Sequence, residues 1–433
     1  MSRERGARRI RNGPRPHLET PARIASVPVF EPPASLVERL VAANRRLLFG
    51  PASRLFWLKA IVILAFCLGL AMSHNLWTGP RTFPAAPSLA GAPQIDGILG
   101  YGLFCALFVL AAAIVVAPKP RWFIVAFLAI IGAFCLADQT RWQPWVFLYA
   151  FLLATLALFS WDSADVPGQR GALNVARLIV ACTYVFSGLQ KTNLNFMNND
   201  FPWIVSPITG VLPSTAATLH VLAVIAPVAQ IAFGVGLLTN RFRRISLIAA
   251  VAMHVFILAM FGPFGLDWNR IIWPWTAAMA VFDVMLFATN EHYAIGELFW
   301  PRGRPYHALV LVVFAAMPAL SFFNLWDSYL SAALYSGNLT EGTIYLSDAG
   351  IASLPASVAA HAVRSSQDTN VINIQQWAVE DLNVTPYPET RVYRAIAKDV
   401  CGQLGDRGQL VLIVREQRMF RSRPETGFRC WDL

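Results

Sequence analysis

Long apolar runs alternate with short polar stretches between about residue 55 and residue 323, and polar sequence fills both ends of the chain. An apolar window of about 17–22 residues is long enough to cross a bilayer as a helix. Nine such windows fall at about 55–76, 98–118, 121–137, 144–161, 172–190, 217–238, 245–262, 271–289 and 306–323. The third and fourth are parted by six mostly polar residues, Asp138 to Gln143. The pattern predicts an all-α polytopic membrane helix bundle of about nine transmembrane helices over 55–323. Residues 1–54 form a basic segment: its Arg- and Pro-rich start is expected to be disordered, and 34–49 mixes apolar and basic residues at helical spacing, as an interfacial helix does. The first apolar run begins too late for a cleavable signal peptide. Beyond residue 323 the period changes. Thr343–Leu346, Val371–Ile374 and Gln409–Val414 read as strands, and Glu389–Leu404, led in by Pro386 and Pro388, reads as a helix. A small α+β domain over 324–433 is predicted, large enough for a core of its own. No internal repeat is visible.

Composition agrees. The 433 residues are 56% apolar and 14% charged, with mean hydropathy +0.49, against about 45–50% and 25% in soluble proteins. A soluble multidomain enzyme, a disordered chain and a disulfide framework are excluded. The net charge of +10 raises nucleic acid as a partner, but its placement argues for lipid. Arginines crowd the first 54 positions and recur in alternate loops as Lys119 and Arg121, Arg170, Arg241/Arg243/Arg244 and Arg302/Arg304. The other loops hold about one basic residue each: Arg81, Arg141, Lys191 and Arg270. This bias puts the N-terminus in the cytoplasm and, after nine crossings, the C-terminal domain outside. The expected partner is the bilayer, anionic lipid included, and not nucleic acid.

Cys67, Cys105, Cys135 and Cys182 lie within the apolar windows and read as buried side chains. Cys401 and Cys430 lie in the extracytoplasmic tail, where either a disulfide or two free thiols fits the sequence. No CxxC or His/Cys ligand spacing occurs, so no metal is predicted.

Lysine marks the candidate chemistry. The chain has four lysines against 31 arginines. One of them, Lys191, closes the fifth window in the run Tyr184-Val-Phe-Ser-Gly-Leu-Gln-Lys191. A desolvated lysine can lose its proton near neutral pH and act as a general base, whereas arginine stays charged. The alternative is a lysine that snorkels at the interface. Three polar loops fall on the same predicted side: Asp138 to Trp145 with Arg141 and Gln143, the stretch after Lys191 with Asn193, and Asp267 to Trp275 with Asn269 and Trp273. These predict an outward-facing substrate pocket of Asp138, Arg141, Gln143, Trp145, Asn193, Asn269, Trp273 and Trp275. Deeper in the windows lie Gln230, His254 and Asp283, with Arg177 as a further partner for Asp283. Ionisable groups at that depth are functional candidates or a structural hydrogen-bond network.

The run Tyr184–Lys191 followed by Asn193 is similar to the lysine motif of the vitamin K-dependent gamma-carboxylase family and of its bacterial relatives with a horizontally transferred transmembrane domain. Asp138-Gln-Thr-Arg-Trp142 followed by Leu148-Tyr149 resembles that family's aspartate-to-tyrosine loop, and His254 through Phe287 resembles a later pair of its spans. The resemblance implies a bacterial inner-membrane protein in which Lys191 deprotonates a quinone-type substrate at the outer face. In the carboxylases oxygen then generates a strong base that acts on a peptide glutamate before CO2 adds. The departures argue against that last activity: Trp145 stands where the loop has a histidine, Gln190-Lys191 replaces a doubled lysine, and the tail is short. The superfamily also resembles membrane subunits of the DoxX and methylamine-utilisation type. Two functions follow from the resemblance: a quinone-linked enzyme, or a non-catalytic subunit or assembly factor whose tail docks an extracytoplasmic protein partner.

Overall fold

The computed structural model describes residues 50–433, apart from 90, 160, 163, 290, 300–304, 366–367, 406–408, 417–418 and 420–423. The expected interfacial helix at 34–49 lies outside the described residues.

The protein is mostly helical. Among the described residues, six helices are long and apolar enough to cross a membrane. They are α1 (Pro51–Met72), α2 (Gly97–Val116), α5 (Val166–Gln190), α6 (Ala216–Leu237), α7 (Arg243–Phe261) and the run α9 (Pro305–Phe323). Three further apolar helices coincide with the remaining expected windows. These are α3 (Arg121–Ala137), α4 (Pro144–Leu158) and α8 (Ile272–Phe287), of 17, 15 and 16 residues. At 1.5 Å per residue they reach about 22–26 Å, short of a hydrocarbon core of about 30 Å. Outward faces such as Val109, Val116 and Ile248 are exposed and apolar, as a lipid-facing wall requires.

Close backbone approach fixes the pairing that matters most for the site. A Cβ on Gly188 would lie 2.8 Å from the Pro227 carbonyl oxygen, and one on Gly234 would lie 3.0 Å from Tyr184 Cβ. Two glycines therefore let α5 and α6 meet along their length. At one end of the bundle Glu291 pairs with Arg54 (3.3 Å) and Arg177 (3.4 Å), while the Arg243 guanidinium stacks 4.0 Å from the Tyr293 ring centroid.

The tail folds at the opposite end. Five antiparallel strands, β1 (Glu341–Leu346), β2 (Ala362–Arg364), β3 (Asn370–Asn373), β4 (Leu410–Arg415) and β5 (Glu425–Arg429), make a sheet in the order β2-β3-β1-β4-β5 among the described residues. The strictly alternating burial of β1 puts Ile344 and Leu346 inward. Helices α10 (Ile374–Leu382) and α11 (Thr390–Gly402) cover that face. The strand expected to run to Ile374 stops one residue earlier, because Asn373 caps α10 by accepting from the amides of Gln375 and Gln376. Cys401 and Cys430 are bonded, joining α11 to the last residues of the chain.

This domain sits directly on the helix ends. Asp381 accepts from the amides of Thr82 and Phe83, Asn383 donates to the Met72 carbonyl, and Arg391 donates to Gln139.

Candidate functional site

Tyr184, Ser187 and Lys191 are spaced i, i+3, i+7, which puts them on one face of α5 and its end. That face borders a cavity of about 460 Å³ enclosed by α4 to α9 and roofed by residues 329–335. Its wall is mainly Phe, Leu, Ile, Met and Ala. Polar groups interrupt this apolar surface at a few points.

The first point is Lys191. Its Nζ folds back along α5 and donates to Ser187 Oγ at 2.6 Å and to the Ser187 carbonyl at 3.2 Å. The helix end that carries it is pinned. Gln190 donates to Ser321 Oγ and accepts from Asn338, each at 2.7 Å. The side chain next to the lysine is thus a structural anchor, which accounts for a glutamine there.

The second is deeper. The Tyr184 hydroxyl donates to Asp283 Oδ2 at 2.7 Å and lies 2.6 Å from His254 Nε2. His254 and Asp283 are themselves 3.7 Å apart. Tyr184 and His254 line the cavity, and Asp283, fully buried, stands behind them. With the tyrosine donating to the carboxylate, the histidine must donate to the tyrosine oxygen through Nε2–H. A hydrogen-bonded line of three groups able to exchange protons results, and it borders the same space as Lys191.

Gln230 and Thr276 supply the third and fourth points. Both line the cavity and are buried, and neither side chain has a hydrogen-bond partner among the described residues. Polar side-chain atoms left open on a cavity wall suit a ligand with polar atoms of its own.

The loop residues expected to bind substrate are placed otherwise. Trp275 lines the cavity, while Asp138, Arg141, Gln143, Trp145, Asn193, Asn269 and Trp273 do not. Asp138 pairs with Arg81 at 2.7 Å and accepts from the amides of Ala86 and Thr140. Arg141 donates to the carbonyls of Leu76 and Phe134, and Gln143 to those of Thr140 and Thr385. Trp145 packs on Phe66 and fills the space over Gly69. Asn193 binds the carbonyls of Gln190 and Ser336, Asn269 donates to the Tyr335 hydroxyl, and Trp273 donates to the Phe261 carbonyl. These side chains hold loops, roof and tail together. The physical reason is that Gln143, Asn193 and Asn269 are taken up by the roof and tail, and Asp138, Arg141, Trp145 and Trp273 by neighbouring loops and helix ends.

Of the deep set, His254 and Asp283 do come together, and Gln230 faces the same space. Arg177 does not join Asp283; it donates to Asn174 Oδ1 and the Leu286 carbonyl and pairs with Glu291. Tyr184, which joins His254 to Asp283, is not among the site residues expected from sequence; its two-turn spacing to Lys191 is the signal that could have found it.

No protein-family model, curated protein or solved structure matches this chain.

Proposed function

We propose that this protein is a multi-pass enzyme of a bacterial plasma membrane that acts on a quinone or another lipid-soluble aromatic molecule, with Lys191 as general base near the extracytoplasmic face. The observation that supports this reading is the shared cavity: a lysine and a buried tyrosine–histidine–aspartate line border one apolar space. An aromatic ring suits such a wall, and its hydroxyl needs a base within it. In the proton-transfer step the substrate O–H bond breaks, the proton passes to the free amine of Lys191, and the electron pair stays on the substrate oxygen. Ser187 holds the amine at the cavity wall. Tyr184, His254 and Asp283 serve a second oxygen on the same ligand. All nine apolar helices cross the bilayer in this reading, α3, α4 and α8 where it is locally thinned, with the arginine-rich end cytoplasmic.

The test is extraction of the purified protein with organic solvent and mass spectrometry for quinone, with Lys191→Ala and Lys191→Arg alongside. Near-stoichiometric quinone that is lost from Lys191→Ala is expected; a quinone-free wild type would sink the quinone assignment. In a turnover assay both variants should lose about 10²–10⁴-fold in rate, arginine included because it cannot become a neutral base.

A second reading, a non-catalytic subunit or assembly factor that docks an extracytoplasmic protein, draws on the outer strand β5 and on Trp431, whose side chain is exposed. It requires that Lys191→Arg be tolerated and that loss of residues 340–433 abolish function.

A further inference from the structure

The cavity is partly enclosed and opens to the exterior along part of its wall. Among the residues that line it, Ala229, Ala249 and Ala252 are exposed and the rest are buried or half-buried. The roof at 329–335 has no exposed residue. The opening therefore lies between α6 and α7, where these alanines sit. Ala229 is eight residues from the end of α6, and Ala249 and Ala252 are six and nine residues into α7. At 1.5 Å per residue that is about 9–14 Å from the helix ends, close to half of a hydrocarbon core of about 30 Å. An opening at this depth meets acyl chains and not water.

Gln230, next to Ala229 on α6, is 8% exposed, lines the cavity, and has no hydrogen-bond partner among the described residues. Its amide atoms are open to the cavity space, where a ligand's hydroxyl or carbonyl can pair with them. Pro227 lies within α6 just before this point and cannot donate to the helix ladder, so the helix can bow around the slot.

We propose that the slot between α6 and α7 is a lateral portal for a single-chain amphiphile dissolved in the bilayer, whose polar head is held by the Gln230 carboxamide while its hydrocarbon chain leaves between the alanines into lipid. This deepens the function proposed above by defining its substrate class: a hydroxyl- or carbonyl-bearing head on one prenyl or acyl chain. Alanine methyls leave a gap that one chain fills, and larger side chains there would close it.

The experiment uses the full chain in lipid nanodiscs and a sixteen-carbon alcohol with a diazirine midway along its chain. Irradiation should label peptides containing 226–233 and 249–257 at least tenfold over the lipid-facing stretch 98–116, and excess hexadecanol should suppress the excess labelling. Gln230→Leu should reduce this saturable labelling about two- to tenfold, the weight of one hydrogen bond. Ala229→Trp/Ala252→Trp, which places bulk at exposed positions, should abolish it. Equal, unsaturable labelling of 98–116 and the portal peptides in the wild type would overturn the portal, and unchanged labelling in Gln230→Leu would overturn the head-group assignment. Decylubiquinone is the separate arm: competition with the probe supports a quinone, and failure to compete removes the quinone while leaving the portal intact.

Discussion

Tyr184 carries two buried hydrogen bonds through one hydroxyl. Tyr184→Phe keeps the ring but strands Asp283 and His254, and should destabilise the folded protein by about 1–3 kcal/mol, read as a lower melting temperature in detergent. If Tyr184 acts through these two partners, Tyr184→Phe combined with Asp283→Asn should fall short of the sum of the single effects; strict additivity would argue against a joined group. At this scale the sequence was readable where a residue type was out of place. Lys191 stood out by rarity, and Gln230, His254 and Asp283 by depth in an apolar window. Polar loop residues carried no such mark. Asp138, Arg141 and Asn193 look alike in sequence whether they face a substrate or bind the backbone of a neighbouring loop.

At the level of elements, the apolar windows located every major helix because their signal is local and about twenty residues long. They missed most at α1, which runs Pro51–Met72 and not 55–76, and at α5, which begins at Val166 and not 172, because polar residues at a helix end carry no apolar signal. In the tail the reading missed helix α10, and also β2 and β5, which are short and mostly exposed and so carry no alternating pattern. The α5–α6 contact was also invisible, because a glycine reads as a breaker until its neighbour is known. Gly188→Leu would drive a side chain into the Pro227 carbonyl. Overpacking of this kind costs about 1–3 kcal/mol; here it should also shift the face that carries Lys191, so loss of ligand with a moderate fall in melting temperature is expected. Retention of full ligand occupancy would show that α5 tolerates displacement.

On the scale of the whole molecule, the tail is fastened to the helix ends through charged and titratable groups. Glu389 accepts from the amide and hydroxyl of Ser328 and lies near Asp327, which Arg391 also binds. Burial, with the neighbouring Asp327 adding to it, pushes the Glu389 carboxyl up to about 7. The folded state thus holds this proton more tightly than the unfolded chain. The stability it contributes is complete below the ordinary carboxylate value and is lost as pH rises through about 7. Melting temperature should accordingly fall between pH 5 and pH 8, and Glu389→Gln should flatten that part of the profile; an unchanged slope would rule Glu389 out as its source. The Cys401–Cys430 bond closes a loop with a sequence separation of 29 residues, worth roughly 3–4 kcal/mol by chain entropy. Reduction should therefore make the tail protease-sensitive, with a mobility shift as the check that the bond was present.

The roof has a consequence for biogenesis. Tyr329 and Tyr335 line the cavity from a segment that follows the last apolar helix, and Tyr329 is held in turn by the hydroxyl of Thr385. During synthesis Lys191, the tyrosine–histidine–aspartate line and the α6 and α7 walls of the cavity all precede the part of the chain that covers them. A nascent chain therefore displays an unlidded, lysine-bearing cavity until residues 329–335 and the tail segment that holds them have emerged and folded.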